Sequence, residues 1–191
     1  TTWGQVPIGT TAWLNAVTFT RAGTGFIVGD SGIMLQTTDE GQHWVRRPTG
    51  TMNSLGGISF HDSSIGFAVG DRGTVLRTTN GGLDWTVQHL DSLYFLWDVA
   101  VLSEDSAIII GLPFAAGPRL VLRTTNQGTT WETLSTGGTD PLYSLCFTSG
   151  TAGTAVGAGG TITHTTDGGT TWSAQTSFAT DYLFGLSFVD A

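Results

Sequence analysis

Lysine is absent from this chain of 191 residues, and cysteine occurs only once. Seven arginines against 15 acidic residues leave a formal net charge of −8. Because phosphate groups are bound by dense cationic surfaces, this balance argues against nucleic acid and anionic membranes as partners. The single Cys146 excludes a disulfide within the chain, and we interpret it as a small buried side chain rather than a nucleophile.

Several other signals are missing. No window places apolar residues at helical spacing over three turns, so we expect almost no helix and no direct insertion into a membrane. The four histidines share no metal-ligand spacing, and nothing resembles a zinc or calcium loop, so we expect no metal and no cofactor. Charged residues make up only 12% of the chain, while glycine and threonine abound, a composition that resembles secreted bacterial proteins.

An eight-residue segment recurs four times instead. It reads Thr-Thr-Asp-Gly-Gly-Thr-Thr-Trp at 165–172, and variants of it occupy 37–44, 78–85 and 124–131. The closing tryptophans, at 44, 85, 131 and 172, are separated by 41, 46 and 41 residues. A repeat of this length, rich in glycine, predicts an array of small sheets rather than one large core.

A second motif follows the same period. A Leu-x-x-apolar-x-Phe-like segment begins at Leu14, Leu55, Leu96, Leu142 and Leu183, and a glycine follows each of the first four leucines after 15 residues. The five extra residues of the third unit lie within 112–118. Each unit reads as four short strands separated by turns, so the predicted fold is all-β, a β-propeller of four-stranded antiparallel blades. Small residues within the Leu-x-x segment suit a crowded inner strand beside a central channel.

The repeated segment has a structural interpretation. Its Asp or Asn oxygen can accept a backbone N–H two residues on, glycine supplies backbone freedom, and the tryptophan buries a large apolar surface between sheets. We therefore expect the tryptophans to be mostly buried and the acidic residues to form turns rather than catalyse or bind calcium. The residues assigned this structural role are Asp39, Gly41, Trp44, Asn80, Gly82, Trp85, Asn126, Gly128, Trp131, Asp167, Gly169 and Trp172.

The pattern Ser/Thr-x-Asp-x-Gly-x-x-Trp is that of the Asp-box, also called the bacterial neuraminidase repeat. The stretch 66–85, Gly-Phe-Ala-Val-Gly-Asp-Arg-Gly-Thr-Val-Leu-Arg-Thr-Thr-Asn-Gly-Gly-Leu-Asp-Trp, more specifically resembles the photosystem II assembly/stability factor propellers and their bacterial relatives. The resemblance covers essentially the whole chain. It implies a propeller fold, whereas Asp-box propellers include sialidases, xyloglucan hydrolases, sorting receptors and assembly factors.

Residues 1–191 read as a single propeller segment with incomplete units at both ends. Thr1-Thr2-Trp3 matches the end of a box, and the chain stops just after the first-strand motif that begins at Leu183. An open arc of blades exposes edges that natural proteins avoid. We therefore expect a segment of a larger ring, with self-association as the alternative that completes it.

Two enzymatic functions, sialidase and xyloglucan hydrolase, are alternatives for an Asp-box propeller. A sialidase needs three convergent arginines, and Arg77 and Arg123 share a register before consecutive boxes, although covering a neighbouring strand explains them better. The Arg-Ile-Pro motif of sialidases is absent. A xyloglucan hydrolase needs two opposed carboxylates, and Asp98 is the best single candidate because the other units have small residues there.

Aromatic residues gather where the chain enters the first strand of each unit. Antiparallel connectivity places these entries on the face opposite the boxes, together with the long connection of the third unit. Crowded aromatic rings with little charge suit either a protein partner or stacked sugar rings. The candidate binding residues on this rim are Trp13, Asn15, Tyr94, Trp97, Asp98, Phe114, Tyr143, Tyr182 and Phe184, and we expect Trp97 and Phe114 to form one patch.

These observations favour a non-enzymatic interaction or scaffold propeller of the bacterial cell envelope or exterior, with a protein as its partner. The alternative is a carbohydrate-active or carbohydrate-binding propeller, sialidase-like or xyloglucan-hydrolase-like, whose catalytic residues lie outside this segment. In that case the partner is a glycan. A second carboxylate facing Asp98 would favour the alternative.

Overall fold

The regular structure of the described residues consists of sixteen short strands and two three-residue 3-10 turns, Asp30–Gly32 and Ala158–Gly160. The computed structural model describes residues 4, 6–20, 23–114 and 119–188. The expected box remnant Thr1-Thr2-Trp3 and the end of the long connection, 115–118, lie outside the described residues. Among the described residues, no helix is long and apolar enough to span a membrane.

The strands form four antiparallel four-stranded sheets, each taken in chain order, which we call blades 1 to 4. Blade 1 contains β1 Leu14–Phe19, β2 Gly25–Gly29, β3 Met34–Thr37 and β4 Val45–Arg46. Blade 2 contains β5 Leu55–Phe60, β6 Gly66–Gly70, β7 Thr74–Thr78 and β8 Thr86–His89. Blade 3 contains β9 Tyr94–Val101, β10 Ala107–Pro113, β11 Leu120–Thr124 and β12 Glu132–Thr133. Blade 4 contains β13 Leu142–Phe147, β14 Gly153–Gly157, β15 Ile162–Thr165 and β16 Ser173–Gln175.

The blades lie side by side with their first strands adjacent, since β1 contacts β5, β5 contacts β9 and β9 contacts β13. The hydrophobic core is accordingly divided into three seams between neighbouring blades. In the first seam Phe26 and Met34 of blade 1 pack against Leu55 and Leu76 of blade 2. Equivalent clusters join blades 2 and 3 and blades 3 and 4. The predicted all-β propeller architecture is confirmed.

The glycine that recurs 15 residues after each leucine has a steric cause. A Cβ built on Gly29 would collide with the carbonyl oxygen of Trp13, and one built on Gly157 would collide with that of Pro141. In both cases the end of the second strand lies against the backbone of the residue that precedes the repeated leucine. The glycine therefore marks a place where the first and second strands approach too closely for a Cβ.

The segment Leu183–Phe188, expected as the first strand of a further unit, is not a strand in the structure. A strand requires a ladder of hydrogen bonds to a neighbour. The N–H of Leu183 donates to the carbonyl of Gly157, but no ladder continues from this bond in the described residues. Phe184 of this segment nevertheless packs on Tyr143 of blade 4, with ring centroids 5.2 Å apart.

Candidate functional site

A β-bulge lies directly after the repeated leucine in the first strand of every blade. In blade 3, Leu96 pairs with Gly111 and Asp98 pairs with Ile110, so Trp97 has no partner on β10. The same irregularity occurs in the other three blades. The bulged residues are Asn15, Gly56, Trp97 and Tyr143. Bulges commonly turn a side chain away from the regular alternation of a strand, often beside a binding site.

Two of these bulged residues begin a continuous aromatic stack. The rings of Trp97 and Tyr143 lie parallel within 14°, with centroids 4.3 Å apart. The ring of Phe184 follows 5.2 Å from Tyr143, and Tyr182 lies 5.8 Å from Phe184 at an interplanar angle of 13°. We call Trp97, Tyr143, Tyr182 and Phe184 the aromatic ladder. It joins blade 3, blade 4 and the segment that follows blade 4 in the chain.

The ladder is open to solvent at one end. Tyr182 is 60% exposed and Phe184 is 73% exposed, whereas Trp97 and Tyr143 are half-buried. Burial raises the pKa of the Tyr143 phenol, with a smaller contribution from Tyr182, so the hydroxyl stays neutral at physiological pH. The ladder therefore presents flat, uncharged ring surfaces that a partner can cover.

The ladder lies on the side of the blades opposite the Asp-boxes. Each box connects the third strand of a blade to the fourth, and the strands alternate in direction. The start of each first strand must therefore lie at the other end of the blade. We call this side the rim face.

Asp98 lies beside the ladder in the seam between blades 3 and 4. Its Oδ2 accepts the backbone N–H of Leu145 at 2.9 Å, and its Oδ1 accepts that of Val99 at 2.8 Å. Burial raises its pKa to about 6, although these hydrogen bonds and the Ser144 hydroxyl favour the ionised form. Because both oxygens hold backbone groups, the carboxylate joins two blades rather than facing a substrate. This arrangement explains why the position departs from the small residues of the other units.

The patch expected from Trp97 and Phe114 does not form. Phe114 instead packs on Phe95, with ring centroids 5.5 Å apart. The reason is the greater length of β9 and β10, which continue their pairing to Tyr94 and Pro113 and carry Phe114 beyond the bulge. Phe114 lines a separate cleft of about 460 Å3 together with Asp71, Arg72, Ser92, Leu93 and Phe95.

The remaining candidate residues of the rim lie apart from the ladder. Trp13 is 80% exposed at the entry to blade 1. The amide of Asn15 donates to Asp30 Oδ1 at 3.1 Å and to the carbonyl of Leu55 at 3.0 Å, so it joins blades 1 and 2. Tyr94 is half-buried and packs against the core between blades 2 and 3. These side chains extend the rim face without joining the aromatic ladder.

The Asp-boxes are closed turns. In the fourth box the Thr165 hydroxyl accepts the N–H of Gly169 at 3.0 Å and donates to Asp167 Oδ1 at 2.9 Å. Asp167 accepts both the backbone N–H and the hydroxyl of Thr171, at 2.9 and 2.6 Å. The expectation that the carboxylate accepts an N–H two residues on is therefore wrong. The threonine hydroxyl takes that N–H, and the carboxylate reaches four residues on.

The boxes follow one pattern irrespective of charge. Asn80 and Asn126 each accept the N–H four residues on at 3.0 Å, as Asp39 does at 2.9 Å. The Thr171 hydroxyl is the main cause of a lowered pKa of Asp167, about 2, and the backbone N–H of His43 lowers the pKa of Asp39 in the same way. These carboxylates are ionised and committed to the turn. The first threonine of the box, which the sequence analysis did not single out, is an equal part of the motif.

The box tryptophans are half-buried, and those of blades 2 and 3 lie between blades, as expected. Trp85 of blade 2 meets the edge of Phe26 in blade 1, with ring centroids 6.3 Å apart, and Trp131 of blade 3 meets Phe67 of blade 2 at 6.0 Å. Trp44 of blade 1 instead meets Phe19 of its own blade at 6.0 Å. The boxes of blades 2 and 3 therefore help to hold neighbouring blades together.

Arg77 and Arg123, which share a register before consecutive boxes, also connect neighbouring blades. Arg77 of blade 2 donates to Gln127 Oε1 in the next box at 3.0 Å. Arg123 of blade 3 donates to Thr170 Oγ in the box after that at 2.9 Å. The two side chains join consecutive blades rather than converging on a ligand. Among the described residues, no three histidine, cysteine or acidic side chains are grouped so that they could hold a metal ion.

Comparison with known proteins agrees with this geometry. The family model described as photosynthesis system II assembly factor YCF48 matches residues 50–141. A solved structure of YCF48 bound to a D1 peptide is 24% identical, with a TM-score of 0.71 over 91% of this chain and 56% of that one. YCF48 from Cyanidioschyzon merolae is 20% identical, with a TM-score of 0.71 over 93% and 61% of the two chains.

A third solved structure, the GH74 enzyme of Niastella koreensis, is 16% identical, with a TM-score of 0.64 over 84% of this chain and 28% of that one. A search of curated protein sequences found no match. At these identities the solved structures establish a shared fold, and the chain spans between 56% and 61% of the two YCF48 chains. The chain is an Asp-box β-propeller, similar in fold to YCF48 and, over residues 50–141, in sequence to the photosystem II assembly factor family.

Proposed function

We propose that this chain is a non-enzymatic interaction propeller that binds a polypeptide partner on its rim face. The observation that carries the proposal is the aromatic ladder, in which four rings from three successive units stack into one surface. Aromatic side chains supply much of the binding energy of protein interfaces when they form a cluster that the partner can cover. Tyr182 and Phe184 leave more than half of their surface available for such a cover.

The similar fold of YCF48 supports the choice of a polypeptide. One solved structure of that protein is bound to a D1 peptide, so a propeller of this fold can bind a peptide. The box face is less suited to the task. The threonine hydroxyl and the carboxylate of its fourth box are already hydrogen-bonded within the turn, and Trp85 and Trp131 pack on the preceding blade.

An enzymatic role for the rim has less support. Asp98, the candidate catalytic carboxylate, directly follows Trp97, yet both of its oxygens accept backbone hydrogen bonds. A glycosidase needs one carboxyl group that is free to donate a proton and a second that attacks or activates water. Glycan binding without hydrolysis is the second candidate, because stacked aromatic faces also accept sugar rings.

The proposal can be tested by selection from a random peptide library displayed on phage, with the unmodified chain as bait. We expect selected peptides to lose at least about tenfold in affinity, equivalent to 1.4 kcal/mol, for Trp97→Ala and Phe184→Ala. Trp13→Ala is the matched control, since it removes an exposed aromatic ring of the same face outside the ladder. Thermal melting of each variant checks that the blades remain folded.

A glycan array and a hydrolysis screen on plant and bacterial oligosaccharides complete the test. Binding of glycans that depends on Trp97, with no peptide selected, would replace the protein partner with a carbohydrate. Selected peptides that bind the ladder variants as tightly as the unmodified chain would refute the rim as the binding surface.

We further propose that the protein acts in the bacterial cell envelope or exterior. The support is compositional: the chain lacks lysine, carries only 12% charged residues and has 28 glycines. Fractionation of the cells that make the protein, followed by detection with an antibody, tests this location. Recovery with the cytoplasmic fraction alone would contradict it.

A further inference from the structure

We propose that the aromatic ladder recognises a cationic segment of its partner, in which an arginine or lysine side chain lies over the exposed rings of Tyr182 and Phe184 beside the Asp181 carboxylate. This inference rests on the proposed function and specifies the chemistry of the partner. It follows from which charges the fold places around the ladder and which it leaves without a counter-ion.

An unpaired carboxylate stands at the open end of the ladder. Asp181 directly precedes Tyr182, and its exposed side chain has no hydrogen bond or ion pair among the described residues. Asp98 directly follows Trp97, but both of its oxygens accept backbone hydrogen bonds. Asp140 lies three residues before Tyr143, near the charge of Arg119. Exposed ring faces next to the Asp181 carboxylate are a setting that attracts a cation.

The acidic character continues along the rim face to blades 1 and 2. Asp30 and Asp71 begin equivalent connections between the second and third strands of these blades. Burial and the nearby charge of Asp30 raise the pKa of Asp71, and the adjacent Arg72 partly offsets this rise. Asp91 adds a further exposed carboxylate in the connection that leads to β9.

The arginines of the same connections do not neutralise the ladder. Arg46 ends β4, the outermost strand of blade 1, and the adjacent Arg47 donates to Gln36 Oε1 at 2.7 Å. Arg119 is buried, and its guanidinium donates to the hydroxyl and carbonyl of Thr136. Arg72 stands beside the separate cleft that contains Phe114.

A cation from a partner would meet three favourable conditions at the open end of the ladder. The faces of Tyr182 and Phe184 are exposed and nearly parallel, at an interplanar angle of 13°. The Asp181 carboxylate is adjacent in the chain, and no cationic side chain of the described residues forms a salt bridge with it. A guanidinium group can stack on a ring while it donates hydrogen bonds to a carboxylate, which makes arginine the best-suited residue.

The experiment uses the full chain and three labelled twelve-residue peptides, each of four Gly-Leu-X repeats in which X is arginine, citrulline or glutamate. Citrulline keeps the shape and hydrogen-bonding capacity of arginine without the charge. Fluorescence anisotropy of the label gives the dissociation constant of each peptide. We expect the arginine peptide to bind at least about tenfold more tightly than the citrulline peptide, and its affinity to fall as salt rises from about 50 to 300 mM.

Three variants locate the attraction, two that each remove a carboxylate charge and one that removes an aromatic ring. Asp181→Asn should weaken binding of the arginine peptide at least about fivefold, and Phe184→Ala should do the same. Glu104→Gln removes the same charge from an exposed position at the box end of blade 3, between β9 and β10, and should leave the affinity unchanged. Thermal melting again controls for folding.

Three results would overturn the inference. Equal affinity for the arginine and citrulline peptides would show that charge plays no role in binding. An equal loss of affinity in Glu104→Gln and Asp181→Asn would show only a general attraction between a cationic peptide and an acidic protein. Failure of all three peptides to bind at millimolar concentration would exclude a cationic partner of this kind. None of these outcomes decides the proposed function, which depends on whether library-selected peptides of any composition require the ladder.

Discussion

The threonine that opens each Asp-box permits a sharp test of the structural role of the boxes. In blade 2 the Thr78 hydroxyl accepts the N–H of Gly82 at 2.9 Å and that of Asn80 at 3.3 Å, and it donates to Asn80 Oδ1 at 3.0 Å. Thr78 is only 1% exposed. Replacing it with valine keeps the shape of the side chain and removes only the hydroxyl.

The expected loss of stability follows from these three bonds. The N–H of Gly82 is buried, and leaving such a group without a partner costs about 1–3 kcal/mol. The N–H of Asn80 faces solvent and can turn to water, so its loss adds little. The Asn80 side chain also loses the donor that orients it to accept the N–H of Asp84. Together these effects predict that Thr78→Val lowers the free energy of unfolding by about 2–3 kcal/mol.

Two variants at the same turn serve as controls. Thr78→Ser keeps the hydroxyl and loses one buried methyl group, which should cost about 1 kcal/mol. Thr79→Val makes the same chemical change at the next residue, which is exposed, and should alter stability by less than about 0.5 kcal/mol. The predicted order of destabilisation is therefore Thr79→Val, Thr78→Ser and then Thr78→Val.

Urea unfolding followed by tryptophan fluorescence measures these differences. Because blades are repeated units that can unfold in steps, hydrogen exchange of the β7–β8 turn should accompany the unfolding curves. Thr78→Val should expose the Gly82 amide to faster exchange. Equal stability of Thr78→Val and Thr79→Val would show that the threonine hydroxyl does not maintain the box.

Two further predictions concern the seams between blades. Gly57→Ala should lower the melting temperature by several degrees, because a Cβ there would lie 2.8 Å from the Cα of Asp98. Gly185→Ala should leave the melting temperature unchanged, because a Cβ at that position has no atom within 4 Å. Equal melting temperatures of the two variants would refute the close contact at Gly57. The folded-state pKa of Asp98, about 6, exceeds its ordinary 3.8, so its ionisation should destabilise the fold as pH rises from about 4 to 7, by up to about 3 kcal/mol. Unfolding free energies of the unmodified chain should therefore fall relative to those of Asp98→Asn over this pH range, and a constant difference would contradict the raised pKa.

The repeat could be read from the sequence because its causes are local or periodic. The box closes within eight residues, so its threonine, acidic residue, glycine and tryptophan leave a mark in any single unit. The glycine of the second strand is equally regular. In every blade it lies against the carbonyl oxygen of the residue that precedes the repeated leucine. Both features depend on contacts that recur in every unit.

The candidate site was harder to predict from the sequence, because its contacts join residues of different units. The stack of Trp97 on Tyr143 depends on a bulge in each of two strands from different blades. The aligned positions after the repeated leucines, which hold Asn15, Gly56, Trp97, Tyr143 and Phe184, contained this signal. The hydrogen bond from Leu145 to Asp98 left no mark in the sequence of a single unit, since a backbone N–H has no residue type.

The prediction for Phe114 failed for a related reason. Membership of one unit suggested that it would meet Trp97, but the extra pairing between β9 and β10 determines its position. The length of a hairpin depends on how many residues of its two strands form hydrogen-bonded pairs. The alternation of apolar and polar residues does not specify where this pairing stops.

Hydrogen–deuterium exchange of the full chain, with and without a library-selected peptide, tests the central claim most directly. If the rim face is the binding surface, the peptide should protect backbone amides around residues 94–99, 142–145 and 181–185 and leave the box turns at 37–44 and 165–172 unchanged. Protection concentrated in the box turns, with the ladder segments exchanging as in the free protein, would contradict the account.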